Sequence, residues 1–489
     1  MADSEMKVLF LSPEAVPFAK TGGLADVSGS LPSALRNLGL DVRMVLPYYR
    51  MVRDGEFPVH PLIDDLQVTL GAETLVSRVL ETRSEEEVPV YLIEREDLYD
   101  RSNLYGNSRG NYYDNLERFT YLAYGALRIA ERLNFRPDII HCHDWQTGLV
   151  PALLRGPFRT SSWFTDTRTV FTVHNIGYQG LFPASRLSVT GLSLVEFFQL
   201  DGIEYWGNIS LLKAGIVYAD AVTTVSKQYA REIQTPEFGM GMEGILSKRR
   251  MSLFGILNGI DYRLWDPAED PHIHMNYNSQ NMEGKQRCKE GLIREMGMDT
   301  GLMNKPLLAM VSRLDAQKGL DLLMDILDEI LALDVGLIVL GSGDERIQQA
   351  IEEVKKQAPG CVGLFIGFNE PLAHRIMGGA DIFLIPSRYE PCGLTQMYAL
   401  KYGAVPVVRA TGGLEDTIVA FSPEKGEGNG FKFGPYESGA FLGAVRQAVE
   451  IFQDAALWTR VMANGMKADF SWGRSAGKYM ELYRSLMEK

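Results

Sequence analysis

The chain has 489 residues, with 49 Lys or Arg against 62 Asp or Glu, a formal charge of −13. Such an acidic surface repels a phosphate backbone, so nucleic acid is excluded as a partner. With 46% hydrophobic and 23% charged residues the composition is that of a folded globular protein, not a disordered one. No apolar run approaches the ~18 residues of a membrane span, and the opening residues lack the apolar core of a signal peptide. Cys142, Cys288, Cys361 and Cys392 are far apart, which predicts reduced thiols in a cytoplasmic protein and neither a disulfide frame nor a zinc site.

In chain order, an apolar strand is predicted over 7–12 (KVLFLS), followed by a Gly/Ala/Pro-rich loop. A helix comes next, its Leu31, Ala34, Leu35 and Leu38 at helical spacing and Gly39 closing it before the strand DVRMVLP. This is a βαβ unit, right-handed by strong default. Further buried-type strands are predicted over 137–144, 169–175 and 220–226. A second series follows the segment Asn258–Asp261, with strands over 306–314, 335–344, 362–368, 381–387 and 404–410. The expected organisation is therefore two α/β domains, 1–256 and 257–470, plus a terminal helix within 471–489. Tyr479, Leu482, Tyr483 and Leu486 give that helix an apolar stripe, but the pattern does not say which domain it covers.

One string occurs twice: TGGLAD at Thr21–Asp26 and TGGLED at Thr411–Asp416, each after a strand and before a helix. Either both are ordinary turns that need glycine, or both present a helix start to a ligand. Neither copy is the G-x-G-x-x-G fingerprint, and no P-loop string occurs.

Four stretches could carry chemistry. Lys20 precedes Gly22 and Gly23, where main-chain amides and the helix dipole favour an anion. Arg313 and Lys318 flank the turn after a strand, suited to a diphosphate, one as a fork and one as a point charge. Glu390 leaves a strand end just before Gly393, Leu394 and Thr395 open a helix; a buried carboxylate there needs a partner. Asp144 follows the histidine pair His141 and His143, and His174 with Asn175 ends another strand. Each stretch also has a plain structural reading: solvated cations beside turns for the first two, hydrogen-bonded core or loop histidines for the last. No D-x-D string occurs, which argues against a metal-dependent nucleotide-sugar site.

Together, KTGGLADV, HCHDWQTGL, FTVHNIGYQG, LNGID, SRLDAQKGLD, GSGD, HRIMGGADIFLIPSRYEPCGLTQMYALKYG, VRATGGLEDT and FSW resemble the bacterial glycogen synthase and plant starch synthase family, over nearly the whole chain. The resemblance implies a GT-B fold, two Rossmann-like α/β/α domains with a deep interdomain cleft and a C-terminal helix crossing back to the first. It implies a retaining, metal-independent transferase that moves glucose from ADP-glucose to the 4-hydroxyl at the non-reducing end of an α-1,4-glucan. Closure of the two domains over the substrate is expected with it. By motif match Lys20, Gly22 and Gly23 contact the donor. Arg313 and Lys318 neutralise its diphosphate, and Gly393, Leu394 and Thr395 offer it amides. Glu390 holds glucose hydroxyls, while Asp144, His174 and Asn175 line the glucose pocket. Tyr398 stands where relatives with an E-x7-E pattern carry a second Glu, so the ribose contact is not assigned. No cofactor and no membrane partner are implied. The competing readings are a UDP-glucose, sucrose-type or trehalose-type glucosyltransferase and, outside enzymes, an inactive glucan-binding protein.

Overall fold

The computed structural model describes residues 5–107 and 109–488. They divide into two compact units, Met1–Gly259 with Trp472–Lys489 and Ile260–Ser471, so the division falls at Gly259, not at 256.

In the first unit β1 (Lys7–Leu11), β2 (Asp41–Pro47), β3 (His60–Leu70), β4 (Glu73–Arg83), β5 (Pro89–Glu94), β6 (Ile139–His143), β7 (Arg168–Val173), β8 (Ala221–Thr224) and β9 (Leu253–Gly255) form a nine-stranded sheet. The spatial order is β9-β8-β7-β6-β1-β2-β5-β4-β3. All neighbours are parallel except β4, which runs antiparallel to both β3 and β5. The helix Gly23–Asn37 returns the chain from β1 to β2, and Gly39 at φ 89 makes the turn. Leu31 and Leu35 are buried, but the helix ends at Asn37 and Leu38 lies partly in solvent. The terminal helix Trp472–Met487 packs on this unit beside the first helix. Tyr479, Leu482, Tyr483 and Leu486 are its buried stripe, and the Tyr483 hydroxyl meets His141 Nδ1 at 2.7 Å.

The second unit has one six-stranded, all-parallel sheet: β10 (Leu307–Val311), β11 (Gly336–Gly341), β12 (Val362–Ile366), β13 (Ile382–Ile385), β14 (Val405–Arg409) and β15 (Phe431–Phe433), in order β12-β11-β10-β13-β14-β15. Alternate residues feed two cores. Leu308, Leu337, Val339, Ile382 and Leu384 join one cluster, and Leu307, Ala309, Ile338, Leu340 and Phe383 join the other. Both faces are covered, which is why these strands read as unbroken apolar runs.

Both sheets reverse their winding once: between β1 and β6 in the first unit, between β10 and β13 in the second. At such a point the two outgoing loops diverge and leave a crevice at the carboxyl ends of the strands. The residues singled out in the sequence leave those strand ends or a neighbouring one.

Candidate active site

In the first unit the loop after β1 is organised by a buried carboxylate that sequence reasoning passed over. Glu14 Oε2 accepts the Thr21 amide at 2.6 Å and the Gly22 amide at 3.2 Å, and Oε1 accepts the Thr21 hydroxyl at 2.9 Å and the Tyr105 hydroxyl at 2.7 Å. Burial raises the Glu14 carboxyl above its ordinary range, against these donors. One expectation is corrected here: the Gly22 amide is committed to Glu14, so an anion at this helix start is left with the amides of Gly23 and Leu24, which have no intrahelical partner. Lys20 Nζ lies 2.7 Å from Asp26 Oδ1, an exposed ion pair of small net worth.

Asp144 directly follows β6 and adopts φ 56, a left-handed conformation that strains an aspartate only mildly but is rare outside turns and functional loops. The conformation turns its carboxylate back along the sheet, where Oδ1 accepts the His174 amide at 2.7 Å and the group also accepts the Asn175 amide. Burial pushes this carboxyl up to about 7; the His174 amide opposes the rise, the negative charge of Glu14 adds to it, and the Asn175 amide opposes it. The Asn175 side chain is folded onto its own turn, with Oδ1 accepting the Gly177 amide at 2.9 Å.

The three histidines form a buried string. His174 Nε2 meets His143 Nδ1 at 2.9 Å, and His141 Nε2 meets the Thr172 hydroxyl at 2.6 Å. The rings of His141 and His143 lie 4.1 Å apart on one face of the strand, as alternation predicts. Burial holds His174 neutral, with its pKa down to about 3, and lowers His141 and His143 well below the usual range. His143 Nε2 has no partner. Both rings of the His141 and His143 pair are fully buried, and His141 is bonded at both nitrogens, to Thr172 and to Tyr483.

In the second unit the turn after β10 is clamped onto the loop after β13. The Gln317 carbonyl accepts the Arg388 amide at 2.8 Å, and Gly319, at φ 73, lies so close that a Cβ there would stand 2.0 Å from the Pro386 oxygen. Asp315 caps the short turn through the Gln317 amide at 3.0 Å and pairs with Arg313 Nη1 at 2.9 Å. Lys318 Nζ meets Glu390 Oε2 at 2.7 Å, and the Ser387 hydroxyl donates to the same oxygen at 2.9 Å. With side chains 19% and 8% exposed, Lys318 and Glu390 are a nearly dry pair, the partner that a buried Glu390 requires. The structure thus pairs Lys318 with Glu390 at the switch point of the second sheet, while Arg313, half in solvent, keeps to its own turn through Asp315 and the Gln317 side chain at 3.1 Å. Gly393, Leu394 and Thr395 lead into the helix Thr395–Lys401, whose first amides likewise lack intrahelical partners.

The repeated string resolves into two different devices. A Cβ on Gly22 would meet nothing within 4 Å, and its φ is an extended −156. A Cβ on Gly412, at φ 45, would stand 1.9 Å from the Glu390 oxygen, and the Gly413 amide donates to that same oxygen at 3.0 Å. The first copy opens a helix to solvent; the second packs under the Glu390 loop and holds it. Tyr398 is also accounted for: its ring stacks on Trp265 at 4.0 Å, and Trp265 stacks on His374 at 3.7 Å. A third glycine string, Gly239–Gly244, has G-x-G-x-x-G spacing but follows a helix and not a strand, and its Gly241 amide is taken by Glu243 at 2.9 Å.

Glu14 and Tyr105 are the residues missed. Their meaning is a contact across 91 positions of chain, for which no local pattern exists. The one available signal was a carboxylate three residues past a strand that is apolar from Val8 to Leu11.

Comparison with known proteins gives the family. Residues 7–248 match the model of the starch synthase catalytic domain, and residues 299–456 that of group 1 glycosyl transferases. Glycogen synthase 2 of Geobacter metallireducens is 45% identical over 480 residues, 98% of this chain and 99% of that protein. The glycogen synthase of Moorella thermoacetica is 45% identical over 487 residues, 99% of this chain and 97% of its own. The catalytic domain of starch synthase IV from Arabidopsis thaliana, solved with ADP and acarbose, matches at TM-score 0.92 and 33% identity, over 99% of this chain and 100% of that one. Sucrose-phosphate synthase of Thermosynechococcus elongatus shares the fold alone, at TM-score 0.57 and 18% identity over 99% of this chain and 100% of its own. No helix among the described residues is long and apolar enough to cross a membrane. The chain belongs to the glycogen synthase and starch synthase family, glucosyltransferases built on the two-domain α/β GT-B fold.

Proposed function

We propose that the protein transfers glucose from ADP-glucose to the 4-hydroxyl at the non-reducing end of an α-1,4-glucan, with retention at C1 and without a metal. The ADP carried by the Arabidopsis relative supports the choice of nucleotide. The observation that carries the reading is the dry Lys318–Glu390 pair beside the clamped Arg313 turn, at the switch point where an open parallel sheet binds its ligand.

As the C1–oxygen bond of the donor breaks, negative charge grows on the leaving ADP and positive charge on the sugar. Arg313 and Lys318 meet the first, as do the amides of Gly393, Leu394 and Thr395. All are held in position before the reaction, so little reorganisation is needed. Lys20 and the amides after Gly22 are the first unit's groups for the donor. Because Lys318 and Glu390 are bonded, the cation for the phosphates and the carboxylate for the glucose hydroxyls occupy adjacent places. Asp144 in its ionised form shields the developing sugar cation, and His174 and Asn175 fix that carboxylate by their amides. Front-face attack completes the step: the acceptor 4-oxygen bonds to C1 as its proton passes to the departing phosphate. Neutral His174 hydrogen-bonds within the glucose pocket and is not an acid. We place the enzyme in the cytoplasm, in keeping with four free cysteines.

The test is incorporation of radiolabelled glucose into glycogen with ADP-glucose and UDP-glucose run side by side. ADP-glucose is expected to be used at least tenfold better; a preference for UDP-glucose, or no incorporation from either, overturns the reading. Trapping of a covalent glucosyl side chain would overturn front-face attack.

A further inference from the structure

The first unit carries a small three-stranded sheet, Leu181–Pro183, Asn208–Ser210 and Glu204–Tyr205, apart from its main sheet. Its last two strands are joined by a two-residue turn, Trp206–Gly207, with φ 49 and 78. Two successive left-handed residues are the geometry of a type I′ hairpin, where Asn, Asp or Gly is favoured at the first position and a bulky side chain is not. Here that position holds tryptophan, and its ring is 82% exposed. Among the described residues the ring meets only the edge of Tyr205, its neighbour in the chain, at 6.4 Å, so it gains little burial in a backbone conformation that disfavours it.

The scaffold beneath the ring is rigid. The Gly207 amide donates to Glu204 Oε1 at 2.7 Å, and the Tyr205 hydroxyl donates to the Met240 carbonyl at 2.8 Å. That same carbonyl accepts the Gln179 side-chain amide at 2.9 Å. Residue 178, next to Gln179, is a second exposed aromatic, Tyr178, 53% in solvent. Two outward rings therefore hang on residues that share one carbonyl anchor.

We infer that Trp206, with Tyr178, is a docking platform for α-glucan, binding the apolar faces of glucose rings by stacking. The choice of a glucan as occupant rests on the proposed function. A rigid, outward ring recognises a repeating neutral sugar without using the phosphate-binding groups, and it would raise the local concentration of chain ends by avidity.

The variant Trp206→Asn places the residue that the turn prefers and removes the ring. Its Tm is expected to equal or exceed that of the parent, so loss of binding cannot be ascribed to unfolding. In native gels cast with glycogen, its retardation constant is expected to weaken at least fivefold, and Trp206→Phe to recover at least half of the loss. Retardation of Trp206→Asn equal to the parent overturns the proposal. So does a change confined to oligomeric state on a sizing column, which would mark the ring as a self-association contact. The gel requires no turnover: a parent protein held by glycogen through Trp206 that transfers no glucose keeps this inference and sinks the proposed function.

Discussion

Replacing Lys318 by Met tests the dry ion pair quantitatively. The ammonium and the Glu390 carboxylate are 2.7 Å apart, and Glu390 keeps only the Ser387 hydroxyl once the lysine is gone. Removing one partner of a buried pair costs about 3–5 kcal/mol, because a charge is left without compensation. Water reaches Lys318 in part, at 19% exposure, so the lower end, about 3 kcal/mol, is expected here. Adding Glu390→Gln removes the stranded charge, and the double variant is expected within about 1 kcal/mol of the parent, about 2 kcal/mol more stable than Lys318→Met alone. In a unit of this size about 3 kcal/mol corresponds to roughly 6–12 °C in its thermal transition. Calorimetry on the four members of the cycle reads this directly. If the single substitutions add within ~0.5 kcal/mol, the two groups do not compensate one another and the argument for a preformed donor site fails.

Further expectations concern the loops and the histidine string. Gly412→Ala is expected to cost more than about 3 kcal/mol, since its Cβ would stand 1.9 Å from a main-chain oxygen, whereas Gly22→Ala, with open space, is expected within about 1 kcal/mol; equal melting points would refute the distinction. Glu14→Gln leaves two amides and two hydroxyls with a poorer acceptor, and a tenfold rise in donor KM with a loss of about 1–2 kcal/mol is expected from substrate titration and urea melts. An unchanged KM would show that Glu14 does not position the Lys20 loop. His143 is held neutral in the fold and takes up a proton only on unfolding, so its stabilising share is full above pH 6.5 and falls as pH drops through that value. His143→Phe is therefore expected to flatten the fall of stability below pH 6 by about 1.4 kcal/mol per pH unit, as read from urea midpoints; parallel curves would contradict it.

Much of the fold was legible because parallel strands covered on both faces write themselves as apolar runs, as in β10, β11 and β13. The meander β3–β4–β5 was not. Its β3, HPLIDDLQVTL, carries two aspartates and two register shifts, so its period-2 signal starts only at Leu66. Likewise the stripe Tyr479–Leu486 announced a buried face without its partner, because that partner is a histidine nitrogen 342 positions away. The charged residues at strand ends stood out since strand ends can be found by pattern. What joins them could not: the Glu14 clamp, the left-handed Asp144 and the opposite fates of the two glycine strings are tertiary facts. Identical letters at Thr21 and Thr411 meet different neighbours.

The central claim is that cations fixed in advance stabilise the departing nucleoside diphosphate, and its most direct test is the kcat/KM for ADP-glucose of Arg313→Gln combined with Lys318→Met, on glycogen as acceptor. The account predicts a loss of at least a thousandfold, about 4 kcal/mol of transition-state stabilisation. A folded double variant within tenfold of the parent would contradict it.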